Sequence, residues 1–273
     1  MQVLAPAKIN LSPKVLGKRP DGFHEIETVI APISLHDKVE IEKQNRWIDF
    51  SCDDPTLSTA DDNLVVRAAK LFLEQAGIKG GLSIKLEKRI PHGAGLGGGS
   101  SDAAATLCAL NELFKTKLSP EDLAGLATKI GSDVPFFLFE SAAVCRGRGE
   151  IVEPIALKKK LPVLLFKPAF GVPTAWAYSR WQASKELPGV YGPQSLDGQT
   201  FLNDLERPVF EKFVFLAKLK AWLLQQKEVS AALMSGSGST VFAVLRDEVN
   251  GNLVAKRAKE LDRAIWICPC ETL

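Results

Sequence analysis

Histidine, paired cysteines and net charge are what this 273-residue chain has little of, and each scarcity excludes something. Three histidines (His24, His36 and His92) stand far apart with no metal-ligand spacing, and His36 and His92 read as structural or exposed. Five cysteines are an odd number. Cys52, Cys108, Cys145, Cys268 and Cys270 form no paired framework, so they read as reduced thiols of a cytoplasmic protein. The formal net charge is +2, and the one basic run is Lys158-Lys159-Lys160, so nucleic acid is not an expected partner. No apolar run reaches membrane-spanning length, and Met1–Ser12 has neither the charged nor the apolar region of a secretory signal. The expected setting is the cytoplasm, without membrane or nucleic-acid partners.

What is present is 46% apolar and 24% charged, an ordinary globular balance. Strands are expected near Val3–Leu11, His24–Ile33, Asp37–Lys43 and Leu82–Ile90, the last alternating apolar and polar residues. Arg19-Pro20-Asp21-Gly22 is a turn. Helices are predicted over 63–75, with Asp61-Asp62 as the cap and Gly77 as the stop, and over 102–114. Another helix opens at Ser119-Pro120. The texture changes around Glu153–Lys160, giving a first domain of residues 1–155 and a second of 156–273. In the second, strands at 161–166, 231–234, 240–245 and 264–268 alternate with helices at 174–185 and 208–226 and another ending near Leu261. The segment 188–200 reads as a surface loop. The order β-α-α-β-β-α-β fits a split βαβ sandwich, so the fold class is α+β in two lobes.

The richest chemical signal is Pro91-His92-Gly93-Ala94-Gly95-Leu96-Gly97-Gly98-Gly99-Ser100-Ser101, between a strand and a helix. Five glycines in seven positions cost conformational entropy, so the backbone must adopt positive φ or let something approach closely. A helix opening from such a loop presents unpaired N–H groups and a positive dipole end, and phosphate is the natural occupant. No Lys-Ser or Lys-Thr follows the glycines, which excludes a P-loop. Gly93, Gly95 and Gly98 match a dinucleotide fingerprint, but the downstream acid, Glu112, falls inside the following helix and not at a strand end.

This motif, continued by Asp102-Ala103-Ala104, resembles the phosphate-binding segment of the GHMP kinase superfamily. Further blocks are similar to its cytidyl-diphosphate-methylerythritol branch. These are Ala5-Pro6-Ala7-Lys8-Ile9-Asn10-Leu11, Gly17–His24, Gly131-Ser132-Asp133-Val134-Pro135-Phe136 and Met234-Ser235-Gly236-Ser237-Gly238. They occur in order over nearly the whole chain. The resemblance implies an N-terminal lobe of the ribosomal S5 domain 2 type, a ferredoxin-like C-terminal lobe, and a cleft between them. It implies transfer of the γ-phosphoryl group of ATP to a hydroxyl of a small cytidine-diphosphate ester, by a monomer or weak homodimer. The competing readings are a homoserine- or mevalonate-type kinase, which has no nucleobase to read, and an inactive nucleotide-binding regulator.

By the same resemblance, Asp133 serves the acceptor hydroxyl, either removing its proton or orienting it, and Lys8 stabilises charge beside it. Pro91–Ser101 hold ATP. Asn10, Phe23, His24, Thr174, Tyr178, Gly236 and Ser237 contact the acceptor. His24 reads the cytosine edge, and Tyr178 or Trp176 stacks on it. Locally, Gly236-Ser237-Gly238 reads equally well as a hairpin turn. Asn63 and Val65 flank the adenine. Two positions depart from the family pattern: Phe23 stands where a Tyr is usual, and Ser12-Pro13 interrupts an apolar strand pair, predicting a bulge or edge there. No paired carboxylates offer a Mg²⁺ site, so the ion is expected on the ATP phosphates, with Ser101 as a further contact.

Overall fold

A computed structural model describes residues 1–247 and 251–273. The first seven strands are β1 (Gln2–Asn10), β2 (Lys14–Lys18), β3 (His24–Gln44), β4 (Ile48–Cys52), β5 (Gly81–Glu87), β6 (Ala142–Gly147) and β7 (Ile151–Ile155). They form one sheet on the 21-residue β3, which pairs with β1, β2, β5 and β6. The two separate extended runs expected at 24–33 and 37–43 are thus one strand. Helices α1 (Leu64–Gln75), α2 (Gly98–Phe114) and α3 (Pro120–Ile130) cover one face.

The second sheet begins at β8 (Pro162–Lys167). After α4 (Thr174–Trp181) come the hairpin β9 (Gln194–Leu196) and β10 (Gln199–Phe201), then α5 (Glu206–Lys212), α6 (Val214–Leu224), β11 (Val229–Met234), β12 (Val241–Leu245), α7 (Gly251–Leu261) and β13 (Trp266–Glu271). Its antiparallel order β11-β12-β8-β13 is that of a ferredoxin-like sheet. Strand alternation sorts its side chains. Leu164 and Phe166 join the core under the helices, whereas Val163 and Leu165 pack with Ala7, Ile9 and Ile33 of the first lobe.

Several expectations are corrected. The cap of α1 is Asn63, whose side chain accepts the Val65 N–H, and not the aspartate pair before it. Helix α2 starts at Gly98, not at Asp102, because Gly97 takes φ +70° and turns the last two loop glycines into the first helical turn. The helix expected over 208–226 is broken at Phe213, at φ −101° and ψ 66°, where its ring stacks on Phe170 with centroids 5.5 Å apart. Packing there outweighs helical periodicity. The helix expected to reach residue 185 stops at Trp181, and the segment read as a loop at 188–200 carries the β9–β10 hairpin. As Ser12-Pro13 suggested, pairing lapses between β1 and β2.

One irregularity positions the chemistry. The β1–β3 register shifts between Pro6 and Ala7. Ala5 faces the helices, but Ala7 and Ile9, which regular alternation would put on that same side, face the second lobe. The bulge thereby releases Lys8 and Asn10 from the core between the lobes and turns them to the cleft. Both stay almost fully buried.

Candidate active site

The glycine loop is hung from β1 and clamped by the second lobe. Lys8 N–H donates to the Leu96 carbonyl at 2.9 Å, and Ser235 Oγ and Thr240 N–H donate to the carbonyls of Gly95 and Ala94. At Gly95, with φ +76°, an added Cβ would stand 2.2 Å from Ser235 O, so only glycine allows this approach. Gly97 caps α2 without any side-chain bond. The first N–H groups of α2 therefore have no side chain competing for them and point at the cleft with the positive end of the helix dipole.

Lys8 Nζ donates to Asn10 Oδ1 and lies 3.6 Å from Asp133 Oδ2. Asn10 Nδ2 in turn donates to Thr28 Oγ1 at 3.2 Å. Asp133 sits in the turn between α3 and a short 3-10 helix, Pro135–Leu138, with its side chain 40% exposed. A nearly buried ammonium beside a carboxylate open to the cleft can steady charge on transferring oxygens and take up a hydroxyl hydrogen bond.

The far wall carries the rings. His24, the first residue of β3, stacks on Tyr178 of α4 with centroids 5.2 Å apart. Burial, and then the charge of Lys18, hold the imidazole below its ordinary range. It is neutral at pH 7, with one nitrogen able to donate and one to accept. Burial, and then Asp133, raise the Tyr178 phenol. Trp176 packs instead on Phe213 in the second-lobe core. Thr174 Oγ1 and Ser237 Oγ are 2.8 Å apart, joining α4 to the turn at Gly236-Ser237-Gly238, where both glycines have positive φ.

A single cleft of about 1310 Å³ connects these groups. A one-ligand pocket is about 300–1,000 Å³, so two ligands fit side by side. Lys8, Asn10, Asp133, Phe23, His24, Thr174, Tyr178, Gly236, Ser237 and the whole segment 91–100 line it, as do Asn63 and Val65. Ser101 does not line it; its Oγ is buried and has no hydrogen-bond partner. Among the described residues no group of three His, Cys, Asp or Glu could hold a metal ion.

Sequence reasoning missed the support beneath the loop. Lys88 Nζ bonds the buried Asp37 and reaches Asp102 Oδ2 at 2.8 Å. Asp37 Oδ1 accepts the N–H groups of Arg89 and Ile90, which ends β5 at Glu87, short of the predicted Ile90. Both ends of the glycine segment are thus tied to one carboxylate. Burial pushes the Asp102 carboxyl up to about 7 against the pull of Lys88. The signal was legible: Asp37 shares the inward parity of Val39 and Ile41 on β3. Asn203 was also missed; its Nδ2 donates to the carbonyls of Met234 and Gly236 and fixes the turn over the cleft.

Family models for the N-terminal and C-terminal domains of GHMP kinases match residues 63–141 and 195–263. The chain belongs to the GHMP kinases, small-molecule kinases that use ATP. It is 44% identical to 4-diphosphocytidyl-2-C-methyl-D-erythritol kinase of Methylacidiphilum infernorum, over 96% of this chain and 93% of that one. It is 40% identical to the protein of the same name from Pelotomaculum thermopropionicum, over 97% and 96%. A crystal structure of 4-(cytidine 5'-diphospho)-2C-methyl-D-erythritol kinase superposes with a TM-score of 0.80 at 38% identity, covering 100% of both chains. These relatives place the chain in that branch of the family. A homoserine kinase from Cytophaga hutchinsonii, at 19% identity and TM-score 0.71, shares the fold.

Proposed function

We propose that the enzyme transfers the γ-phosphoryl group of ATP to the 2-hydroxyl of 4-diphosphocytidyl-2-C-methyl-D-erythritol, in the non-mevalonate route to isoprenoid precursors. The observation that carries this reading is the Lys8–Asp133 pair, 3.6 Å apart, in one cleft with both the uncapped start of α2 and the His24–Tyr178 ring station. ATP phosphates lie along residues 93–101 against the helix N–H groups, with the adenine toward Asn63 and Val65. The cytosine stacks on Tyr178, its edge read by the neutral His24. Asn10, Thr174, Ser237, Gly236 and Phe23 line the path between base and hydroxyl.

Asp133 accepts the hydrogen bond of the attacking hydroxyl, and Lys8 balances the charge that spreads over the transferring oxygens. Mg²⁺ arrives on the ATP phosphates; Ser101 Oγ, in the first turn of α2, is partnerless but buried behind the cleft wall, and would reach the ion only by turning toward it. When bound, the ion neutralises phosphate charge. The enzyme works on small molecules in the cytoplasm, as a monomer or weak homodimer. Among the described residues no helix is long and apolar enough to cross a membrane.

A steady-state assay with Mg-ATP and each acceptor tests the reading. Turnover of the cytidyl compound, with none of homoserine or mevalonate, is expected. Turnover of mevalonate alone would reverse the assignment.

A further inference from the structure

Strand β11 runs into the turn that closes on the cleft, and it lies at the edge of its sheet. Its outer backbone groups are taken by side chains, where a neighbouring strand would otherwise bond. Gln194 holds both the carbonyl and the N–H of Ala232, at 2.9 and 3.0 Å. Glu206 Oε1 accepts the Met234 N–H at 2.9 Å, and its other oxygen is paired with Lys220, both side chains fully buried. Asn203 completes the row. Its Nδ2 donates to the Met234 carbonyl at 2.7 Å and to that of Gly236, inside the turn, at 2.8 Å.

The backbone on either side of Asn203 is bonded to the other lobe. Where pairing lapses at Ser12-Pro13, the carbonyls of Leu11 and Pro13 accept the N–H groups of Leu202 and Asp204, at 3.3 and 3.0 Å. Asp204 Oδ2 then accepts the Val15 N–H at 2.8 Å. Leu11 directly continues β1, the strand that carries Lys8 and Asn10. A single side chain therefore links the end of β1 to the turn. What it holds in place is close to the chemistry: a Cβ at Gly236 would stand 3.2 Å from Asn10 Oδ1 and 3.6 Å from Lys8 Nζ. Asn203 itself has no exposed surface, so it touches neither ligand.

We propose that Asn203 is a positioning residue for phosphoryl transfer, which seats the 235–238 turn over Lys8 and Asn10 by bridging it to the end of β1. This rests on the placement of transfer beside Lys8 and Asp133 given above. An offset of about 1 Å at a reacting centre can cost roughly a hundred-fold in rate, so a brace that meets no ligand can still set kcat.

The test compares the full-chain wild type with N203D, N203S, V254A and D133N. Calorimetric titration with a non-hydrolysable ATP analogue counts the folded sites, so kcat is read per site on whatever fraction folds, and urea midpoints give each stability. N203D keeps the size of the side chain and the oxygen that accepts the Leu205 N–H, but it loses both donors to the turn. N203S is too short to reach the turn and brings no added charge. Val254 of α7 lies in the second-lobe core outside this row of bonds, so V254A lowers stability without touching the bridge. Both Asn203 variants are expected to lower kcat per site by roughly ten-fold to a hundred-fold, with affinity for the analogue within about three-fold of wild type. V254A should keep the wild-type kcat per site. Asn203 variants whose kcat per site matches that of V254A would overturn the proposal. So would a loss of analogue affinity as large as the loss of kcat, which marks general damage to the cleft. A kinetically silent D133N would instead overturn the placement of transfer on which the proposal rests.

Discussion

Lys8 reaches the cleft from a buried strand and Asp133 from a half-exposed turn, and that difference assigns their work. The strand fixes the ammonium to within the tolerance of its bonds to Asn10, while the turn leaves one carboxylate face free for a hydroxyl. Asp133→Asn keeps the shape and loses the charge. It should lower kcat by about two orders of magnitude or more, with the KM for ATP nearly unchanged, in a steady-state assay. A kinetically silent variant would remove Asp133 from the reaction.

Asp102 makes a second residue-scale prediction. Its carboxyl is raised from 3.8 to about 7 in the fold, so the folded state favours the protonated form. Stability contributed at this site is fully present below about pH 4 and is lost as pH rises through about 7. Asp102→Asn does not titrate. Its stability relative to wild type should therefore improve between about pH 4 and about 7 and level off above, by at most about 1.4 kcal/mol per pH unit, as read by urea midpoints. A pH-independent difference would contradict the assignment. Residues such as Lys8, Asp133 and His24 were legible because motifs surround them. Lys88 and Asn203 were not, since a lone Lys or Asn carries no pattern until the fold brings its partners to it.

At the scale of elements, the glycine loop depends on a few required geometries and not on glycine content as such. Gly95→Ala adds strain at φ +76° and drives Cβ onto the backbone of Ser235. It should lower unfolding stability by at least about 2 kcal/mol and raise the KM for ATP. Gly125, exposed within α3 with nothing within 4 Å of an added Cβ, makes the opposite case. There the Ala variant should gain roughly 0.5–1 kcal/mol in the same denaturation experiment. Elements with local signals were read correctly. Ser119 as cap with Pro120 at the first position marks the start of α3, alternation marks β5, and a continuous apolar run marks β8. Elements decided by remote contacts were misread. The break at Phe213 comes from Phe170, and the α5–α6 junction is further tied by a fully buried Lys220–Glu206 pair. The register shift at Pro6/Ala7, which aims Lys8, also leaves no mark in the sequence.

For the whole molecule, the decisive feature is that the two sheets share a core. Ala7, Ile9 and Ile33 of the first pack with Val163, Leu165 and Phe242 of the second, and the Ser235–Gly95 contact lies beside that core. The lobes therefore should not melt apart. Calorimetry is expected to show one unfolding transition with equal van't Hoff and calorimetric enthalpies, and two resolved transitions would refute a shared core. The two-lobed fold and the order of elements in the second lobe were visible in the sequence. The common core was not, because the continuous apolar run of β8 shows that both its faces are buried but not what each is buried against.

The central claim is that a triphosphate seated at the start of α2 faces an acceptor hydroxyl beside Asp133 and Lys8. A crystal structure with a non-hydrolysable ATP analogue and the cytidyl acceptor tests it most directly. The account predicts phosphate oxygens on the N–H groups of residues 97–100, since that of Ser101 is already bonded to Gly97 O, and the 2-hydroxyl within hydrogen-bond reach of Asp133. A nucleotide bound away from the glycine loop, or an acceptor whose hydroxyl lies out of reach of Asp133, would contradict it.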